Sequence, residues 1–275
     1  MIVDYHMHLR GRGGGHEGPV DHRVEAVEPY VAAAQARGID EIGFTEHYYY
    51  FRQFEGIVEH PYQVERLRYD IDPYCEAVLE AKRRGLPVKL GLEVDYLPGR
   101  EADLLERLAP YPWDFLVGSV HLVEGEAIDL EPGIWDRLPP EEVWRRYFVA
   151  VRALARSGLA DVLAHPDLVK IFGRRVPEVD AAVLYDETVD AIEAAGVCVE
   201  VSTAGLRKPD GELYPAPELL GRCRERGVGA TAASDAHTPQ DVGRDFDRAV
   251  DLLRAAGYES ITVFESRAPR QEPLG

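Results

Sequence analysis

Short runs of β-branched and other apolar residues recur along this chain, and each is followed by a longer stretch in which apolar positions return every three or four residues. The first pattern belongs to strands buried on both faces, the second to helices that cover them. Strands are predicted over Ile2 to His8, Glu41 to Thr45, Val88 to Glu93, Phe115 to Val120, Asp161 to Ala164, Val197 to Ser202, Gly229 to Ala233 and Ser260 to Phe264. Helices are predicted over Val24 to Arg37, Tyr69 to Arg84, Pro140 to Ser157, Val183 to Ala195, Pro217 to Arg226 and Asp241 to Ala256, several of them ending near a Gly. A strand-then-helix order repeated seven or eight times, with no fixed-period repeat and no low-complexity linker, predicts an α/β fold. The expected form is a closed or nearly closed barrel, with residues 1–275 as a single domain. The Gly-rich stretch Gly11 to Gly15 reads as a mobile loop over a site.

The polar residues that interrupt this pattern fall at one kind of place. His6 and His8 end the first strand in DYHMH, and their i, i+2 spacing points both imidazoles to one face of an extended chain. His47 ends GFTEH, Glu93 ends KLGLE, His121 ends LVGSVH, His165 ends DVLAH, and Asp235 with His237 ends ATAASDAH; His16 lies in the Gly-rich loop. In a parallel barrel the C-terminal strand ends converge at one mouth, so these side chains are expected to meet. One strand-end histidine is usually a hydrogen-bonded structural residue, and His22 and His60, which follow no strand, are read that way. Seven histidines and two acids on one rim call for another cause, because packing there favours apolar side chains. Nine ligands exceed what one ion accepts, so two or three divalent ions are expected, and imidazole with carboxylate suits Zn, Mn or Fe.

Charge narrows the substrate. The formal net charge of -18 leaves no basic face for a nucleic-acid backbone, although a small polyanion can still bind in a locally cationic pocket. The three cysteines, Cys75, Cys198 and Cys223, are far apart and give neither a disulfide framework nor a CxxC zinc site. No leader pattern and no apolar run of spanning length is visible, so a soluble, cytoplasmic protein without a membrane partner is expected.

The ordered series HMH, GGGHEGP, FTEH, GLEVDYLPG, DFLVGSVH, AHPDLVKIFG, STAGLRKPDGELYPAP and SDAH resembles the PHP (polymerase and histidinol phosphatase) superfamily, and within it the histidinol-phosphate phosphatases. The resemblance covers nearly the whole chain. It implies a distorted (β/α)7 barrel with three metal ions at the C-terminal rim. His6, His8, Glu93 and Asp235 would hold the first ion. Glu93 would bridge to a second, shared with His121 and His165, and His16, His47 and His237 would hold the third. Gly15 stands where the family usually has Cys or Ser before the third-ion histidine.

Three divalent ions carry about six positive charges and the two acids remove about two, so the pocket would favour a phosphate dianion. The resemblance therefore implies hydrolysis of a small phosphorylated metabolite, histidinol phosphate, in histidine biosynthesis. Attack would come from a metal-bridging hydroxide, with Glu93 at the bridge and Asp235 and His237 relaying a proton to the leaving alkoxide. Arg207 in the shared STAGLR segment is the first candidate for the phosphate oxygens; Lys170 and Arg174 are second candidates, and Lys208 is read as solvated. Glu17, Glu46 and Asp95 are candidates for the substrate's cationic nitrogen or for orienting the ligand imidazoles, and Tyr48 to Phe51 for a flat wall. The competing readings are a PHP-type phosphoesterase acting on another small phosphate or a nucleotide, a zinc amidohydrolase or deaminase, and a non-catalytic metal-binding or scaffold module. The amidohydrolase also uses HxH and a late Asp, but does not require Glu93, His16 and His237 together; the filled ligand set weighs against a non-catalytic module.

Overall fold

The computed structural model describes residues 1–9, 20–130 and 133–275. His16 and Glu17, with the Gly-rich stretch, therefore lie outside the described residues. In chain order the elements are β1 (Val3–Asp4), α1 (Val24–Ala36), β2 (Glu41–Phe44), α2 (Pro61–Val64), α3 (Ile71–Arg83), β3 (Val88–Leu90) and β4 (Glu93–Asp95). Next come α4 (Glu101–Leu108), β5 (Val117–Ser119), a hairpin of β6 (Leu122–Val123) and β7 (Glu126–Ala127), α5 (Pro140–Arg156), β8 (Val162–Leu163) and α6 (Glu178–Ala195). The chain finishes with β9 (Cys198–Ser202), α7 (Pro217–Glu225), β10 (Ala230–Ala233), α8 (Phe246–Ala255), β11 (Ser260–Glu265) and β12 (Ala268–Pro273).

Two parallel sheets, β1-β2-β3 and β10-β9-β8-β5-β4, carry the core. Backbone hydrogen bonds join them at both seams. On one side the amides of Gly91 and Glu93 donate to the carbonyls of Phe44 and Glu46, while those of Asp114 and Val117 donate to Leu90 and Leu92. β3 and β4 are thus two halves of one interrupted stave. On the other side Tyr5 N donates to Ala232 O at 3.0 Å and His8 N to Ala236 O at 2.8 Å, which ties β1 to β10. The result is a ring of seven parallel staves with every C-terminal end at one rim, the distorted barrel expected from the strand-helix alternation.

A glycine, Gly91, stands at the interruption in the third stave. A Cβ at Gly91 would lie 2.9 Å from both Phe115 Cζ and Thr45 Cγ2, so only glycine allows the strand to pass the ring that fills the barrel. Phe115 stacks on Tyr5 at 4.9 Å, and Phe264 packs 5.9 Å from Phe115. Phe264 belongs to β11, which pairs antiparallel with β12 instead of joining the ring, so the last predicted strand forms but is not a stave. The predicted helix from Asp241 begins at Phe246, because Gly243 (φ 62) and Asp245 (φ 59) adopt left-handed backbone before it. The helix α4 escaped prediction; of its eight residues two, Leu104 and Leu108, are buried, too few for a clear period.

Asp4 ties the first strand to the last loop of the rim. Its fully buried carboxylate accepts hydrogen bonds from Ser234 N (2.8 Å), Ser234 Oγ (2.5 Å) and Gly243 N (3.0 Å), fixing the segment that carries Asp235 and His237. Asp4→Ala leaves these three donors without their acceptor. A loss of roughly 2–4 kcal/mol is expected in urea unfolding of the metal-free protein, and an unchanged midpoint would show that the loop does not depend on Asp4.

Candidate metal centre

The rim gathers the strand-end residues around one carboxylate. Glu93, 1 % exposed, lies 2.5 Å from His47 Nδ1, 3.4 Å from His6 Nε2, 3.6 Å from His165 Nε2, and 3.7 Å from the Nε2 atoms of His8 and His121. Asp235 Oδ1 is 3.3 Å from His8 Nε2, 3.7 Å from His237 Nδ1 and 3.9 Å from His6 Nε2. The imidazoles of His47 and His237 flank His8, with ring centroids 4.1 and 4.2 Å away. Among the described residues three ligand groups emerge: His6, His8 and Glu93; Glu93, His121 and His165; and His8, His47 and His237. The second coincides with the set the resemblance implies, and the first holds three of the four residues of its implied set, with Asp235 beside it, 3.3 Å from His8 Nε2 and 3.9 Å from His6 Nε2. The third brings His47 and His237 together with His8, while His16 lies outside the described residues.

These atoms fit divalent cations. His6 Nε2, both nitrogens of His8, Nδ1 of His47 and of His165, and both oxygens of Glu93 are buried with no hydrogen-bond partner. So many buried polar atoms without a hydrogen-bond partner carry a large desolvation cost, which a cation bound among these side chains would offset. The electrostatics of the metal-free chain point the same way. Burial would raise the carboxyls of Glu93 and Asp235, yet the surrounding imidazoles, His47 and His6 for Glu93 and His6, His8 and His237 for Asp235, hold both well below the usual range. Burial works against the charged form of His6 and His121, but Glu200, Glu93 and Asp235 push His6 well above its ordinary value, and Asp95 takes His121 up to about 10. Burial wins at His47, which falls to about 4 despite Glu93. Each acid therefore stays ionised and ready to accept a cation.

A second layer of carboxylates orients the imidazoles. Asp95 accepts from Ser119 Oγ (2.8 Å) and faces His121 Nδ1 at 2.7 Å, and Gln63 Nε2 also donates to it. Glu46 lies 3.7 Å from His8 Nδ1. Both are buried behind the ligands, so neither is placed to meet a substrate's cationic nitrogen, and ligand orientation is the role their positions support. Glu200 does the same for two ligands at once. Its Oε2 is 2.9 Å from His6 Nδ1, and its Oε1 accepts from the backbone amide of His165 at 2.9 Å. Glu200 went unread in the sequence, although an acid inside the apolar run VCVEVS was a usable signal. Its bond helps hold His165 in a left-handed backbone (φ 27); Asp235 (φ 52) shares that conformation, so two ligands sit in backbone that non-glycine residues seldom adopt.

The metal groups open on a cavity lined by Tyr49, His60, Tyr62 and Gln63, by Asp129 and Leu130, and by Ala204, Lys208 and Tyr214, together with Glu93, His47, His121, His165, Asp235 and His237. Lys208, expected to be solvated, is the lysine among these residues. Lys170 and Arg174, assigned to the phosphate from sequence, are given protein partners instead. Lys170 is fully buried, with Nζ 2.7 Å from Leu213 O and 3.0 Å from Asp167 Oδ2. Arg174 donates to Trp135 O at 2.8 Å with its guanidinium 5.6 Å from the Trp135 ring. Arg207 bridges two loops of the rim, donating to Ser234 O (2.6 Å) and Thr203 O (3.3 Å). Of the aromatic run, Tyr49 stacks on His47 at 4.7 Å and lines the cavity, whereas Tyr48, Tyr50 and Phe51 belong to the buried core. His60 lines the cavity too, with a buried Nδ1 that has no hydrogen-bond partner. His22 packs among Phe51, Tyr69 and Tyr74.

Comparison with known proteins places this geometry. Residues 20–204 match the PHP domain family. A probable histidinol-phosphatase of Deinococcus radiodurans is 32% identical over 267 residues, covering 95% of this chain and 96% of the relative. Among solved structures, a histidinol phosphate phosphatase of Lactococcus lactis, complexed with zinc, L-histidinol and phosphate, superposes with a TM-score of 0.72 at 20% identity over 98% of both chains. A putative histidinol phosphatase of Listeria monocytogenes does so with a TM-score of 0.75 at 22% identity, over 90% of this chain and 99% of that one. No helix among the described residues is long and apolar enough to cross a membrane. With its ligand pattern, its seven-stave ring and these full-length likenesses, the chain belongs to the PHP domain family and is similar throughout to that family's histidinol phosphatases.

Proposed function

We propose that this protein is a metal-dependent phosphomonoesterase that hydrolyses histidinol phosphate to histidinol and inorganic phosphate, with three divalent ions (Zn, Mn or Fe) at the barrel rim. The observation that carries this reading is the buried Glu93 carboxylate, with imidazoles from five positions directed at it on the floor of an open cavity. The substrate is inferred from the relatives named histidinol-phosphatase. When bound, such ions polarise phosphate oxygens and lower the pKa of coordinated water from about 15.7 toward about 7.

The chain's own residues would supply the rest. His6, His8, His47, His121, His165, His237, Glu93 and Asp235 are the proposed ligands in the described structure, and His16 completes the proposed set. Glu200, Asp95 and Glu46 hold the imidazoles of His6, His121 and His8 in orientation. Lys208 supplies positive charge beside the phosphate. Arg207 uses two contacts on backbone carbonyls, and its guanidinium has further N–H groups to offer a phosphate oxygen. Asp129 is a lining carboxylate outside the ligand set, a fit for the cationic nitrogen of the organic group. Asp235, held ionised by its neighbours, accepts hydrogen bonds more readily than it donates a proton. Its part in the proposed relay is therefore to orient His237, 3.7 Å away.

Metal and protons compete for these ligands. A histidine raised to about 10 is protonated at pH 7 in the metal-free chain, so loading an ion that His121 binds must release its proton. Titrating metal into the stripped protein at pH 7, in buffers of different ionisation enthalpy, should register proton release and an affinity that weakens as pH falls; binding without proton release would contradict the assignment of His121. Purified protein should liberate phosphate from histidinol phosphate, lose that activity to a chelator and regain it with zinc or manganese. His165→Ala should retain roughly a hundredth of the rate or less, and full activity in that variant would exclude His165 as a ligand. Glu200→Gln should weaken metal retention about 10–100-fold, checked by metal content after graded dialysis.

A further inference from the structure

Beyond the metal ligands, two residues lining the cavity carry a buried polar atom without a hydrogen-bond partner, His60 at Nδ1 and Tyr214 at its hydroxyl, and the hydroxyl is the one that is always a donor at neutral pH. The hydroxyl of Tyr214 is buried without a hydrogen-bond acceptor, in a residue 1 % exposed, and the side chain lines the cavity beside the ligand groups. Several features fix its position. Its backbone pairs with Ser202 at the end of β9, N to O at 3.1 Å and O to N at 2.6 Å. Its ring lies edge-on to the ligand His165 at 6.2 Å, with Lys170 Nζ 5.2 Å from its centroid. The ring also packs so tightly against Gly205 that a Cβ there would fall 2.9 Å from Tyr214 Cε2 and 2.0 Å from Glu212 O. The ring is therefore packed against Gly205 with His165 and Lys170 beside it, which restricts the phenol's position.

A fixed, buried O–H beside a metal cluster is costly to leave unmade, and it is what a preorganised donor needs to be. Burial, reinforced by Asp167, Asp210 and Asp235, keeps the phenol protonated well above the usual tyrosine range, so it acts as a hydrogen-bond donor and not as a base. The acceptor that the proposed reaction brings to this cavity is a phosphoryl oxygen. We propose that Tyr214 is a catalytic residue that donates its hydroxyl hydrogen bond to a non-bridging oxygen of the bound phosphate, strengthening as charge builds on that oxygen. The inference rests on the phosphatase reading above. No proton is transferred.

The test is Tyr214→Phe, which removes one oxygen and keeps the ring that packs on Gly205. Metal-loaded wild type and variant are compared for phosphate release from histidinol phosphate, for inhibition and direct calorimetric binding by inorganic phosphate, for metal content and for melting temperature. The expected result is a fall in kcat/KM of about 10–100-fold. Binding of inorganic phosphate should weaken by about tenfold, with metal content unchanged and melting temperature equal or higher. Unchanged phosphate affinity and unchanged kcat/KM would overturn the proposal. So would a parallel loss of metal, which would place the hydroxyl in the service of the metal ligands. If wild type releases no phosphate from histidinol phosphate, the substrate reading fails separately, and calorimetry with inorganic phosphate still decides the role of Tyr214.

Discussion

A carboxylate with five imidazoles around it and no solvent is not a stable arrangement on its own terms. Glu93 is in that position, and the rest of the rim is organised around it. Desolvating the acid, and leaving the lone pairs of His6, His8, His47 and His165 without donors, is unfavourable unless a cation enters among them. The metal-free chain compensates in part by favouring protons on His6 and His121, where Glu200 and Asp95 outweigh burial, while burial prevails at His47 and Glu93 is held low by the imidazoles around it. A divalent ion bound there would relieve the same imbalance.

The barrel makes this crowding possible. Parallel staves present all their C-terminal ends at one rim, so ligands separated by more than two hundred residues, such as His6 and Asp235, meet within 3.9 Å. Closing the ring takes hydrogen bonds across two seams, and Asp4 adds a tie from β1 to the loop that carries Asp235 and His237. A strongly acidic chain thereby gathers imidazoles and acids at a rim whose charge can differ from that of its outer surface. The net charge of -18 describes the outer field, whereas the pocket's sign is set by the ions its ligands would gather.

The candidate phosphate contacts show where local reading loses its grip. Lys170 and Lys208 both stand near glycine-containing turns after strands, and nothing in their immediate sequence separates them. In the fold Lys170 is drawn inside by Asp167 and the Leu213 carbonyl, where it steadies the segment leading to Tyr214, while Lys208 lines the cavity. Lys170 is fully buried and paired, and such a cation is costly to separate from its partner, so its ammonium stays with the protein. Asp95 and Glu46 had two open roles in the sequence, and their place behind the imidazoles of His121 and His8 favours the orienting one.

The sequence by itself determined the architecture and which strand-end histidines and acids would meet at the rim. Apolar runs alternating with amphipathic stretches have periods that survive folding, and imidazoles repeated at strand ends have no explanation in packing. It also placed α1, α3, α5 and α7 to within a few residues, whereas α4 went unpredicted, α6 begins at Glu178 ahead of its predicted start at Val183, and left-handed backbone at Gly243 and Asp245 delays α8. Tertiary structure alone decided three things. It set β11 aside in a hairpin with β12, brought Glu200 from the middle of an apolar strand to the back of His6, and turned Lys170 inward while leaving Lys208 and Tyr214 at the cavity. The physical reason is common to all three. Periodicity is a property of neighbouring residues, whereas which side of a ligand a charge occupies depends on partners that closure of the ring brings in from distant strands.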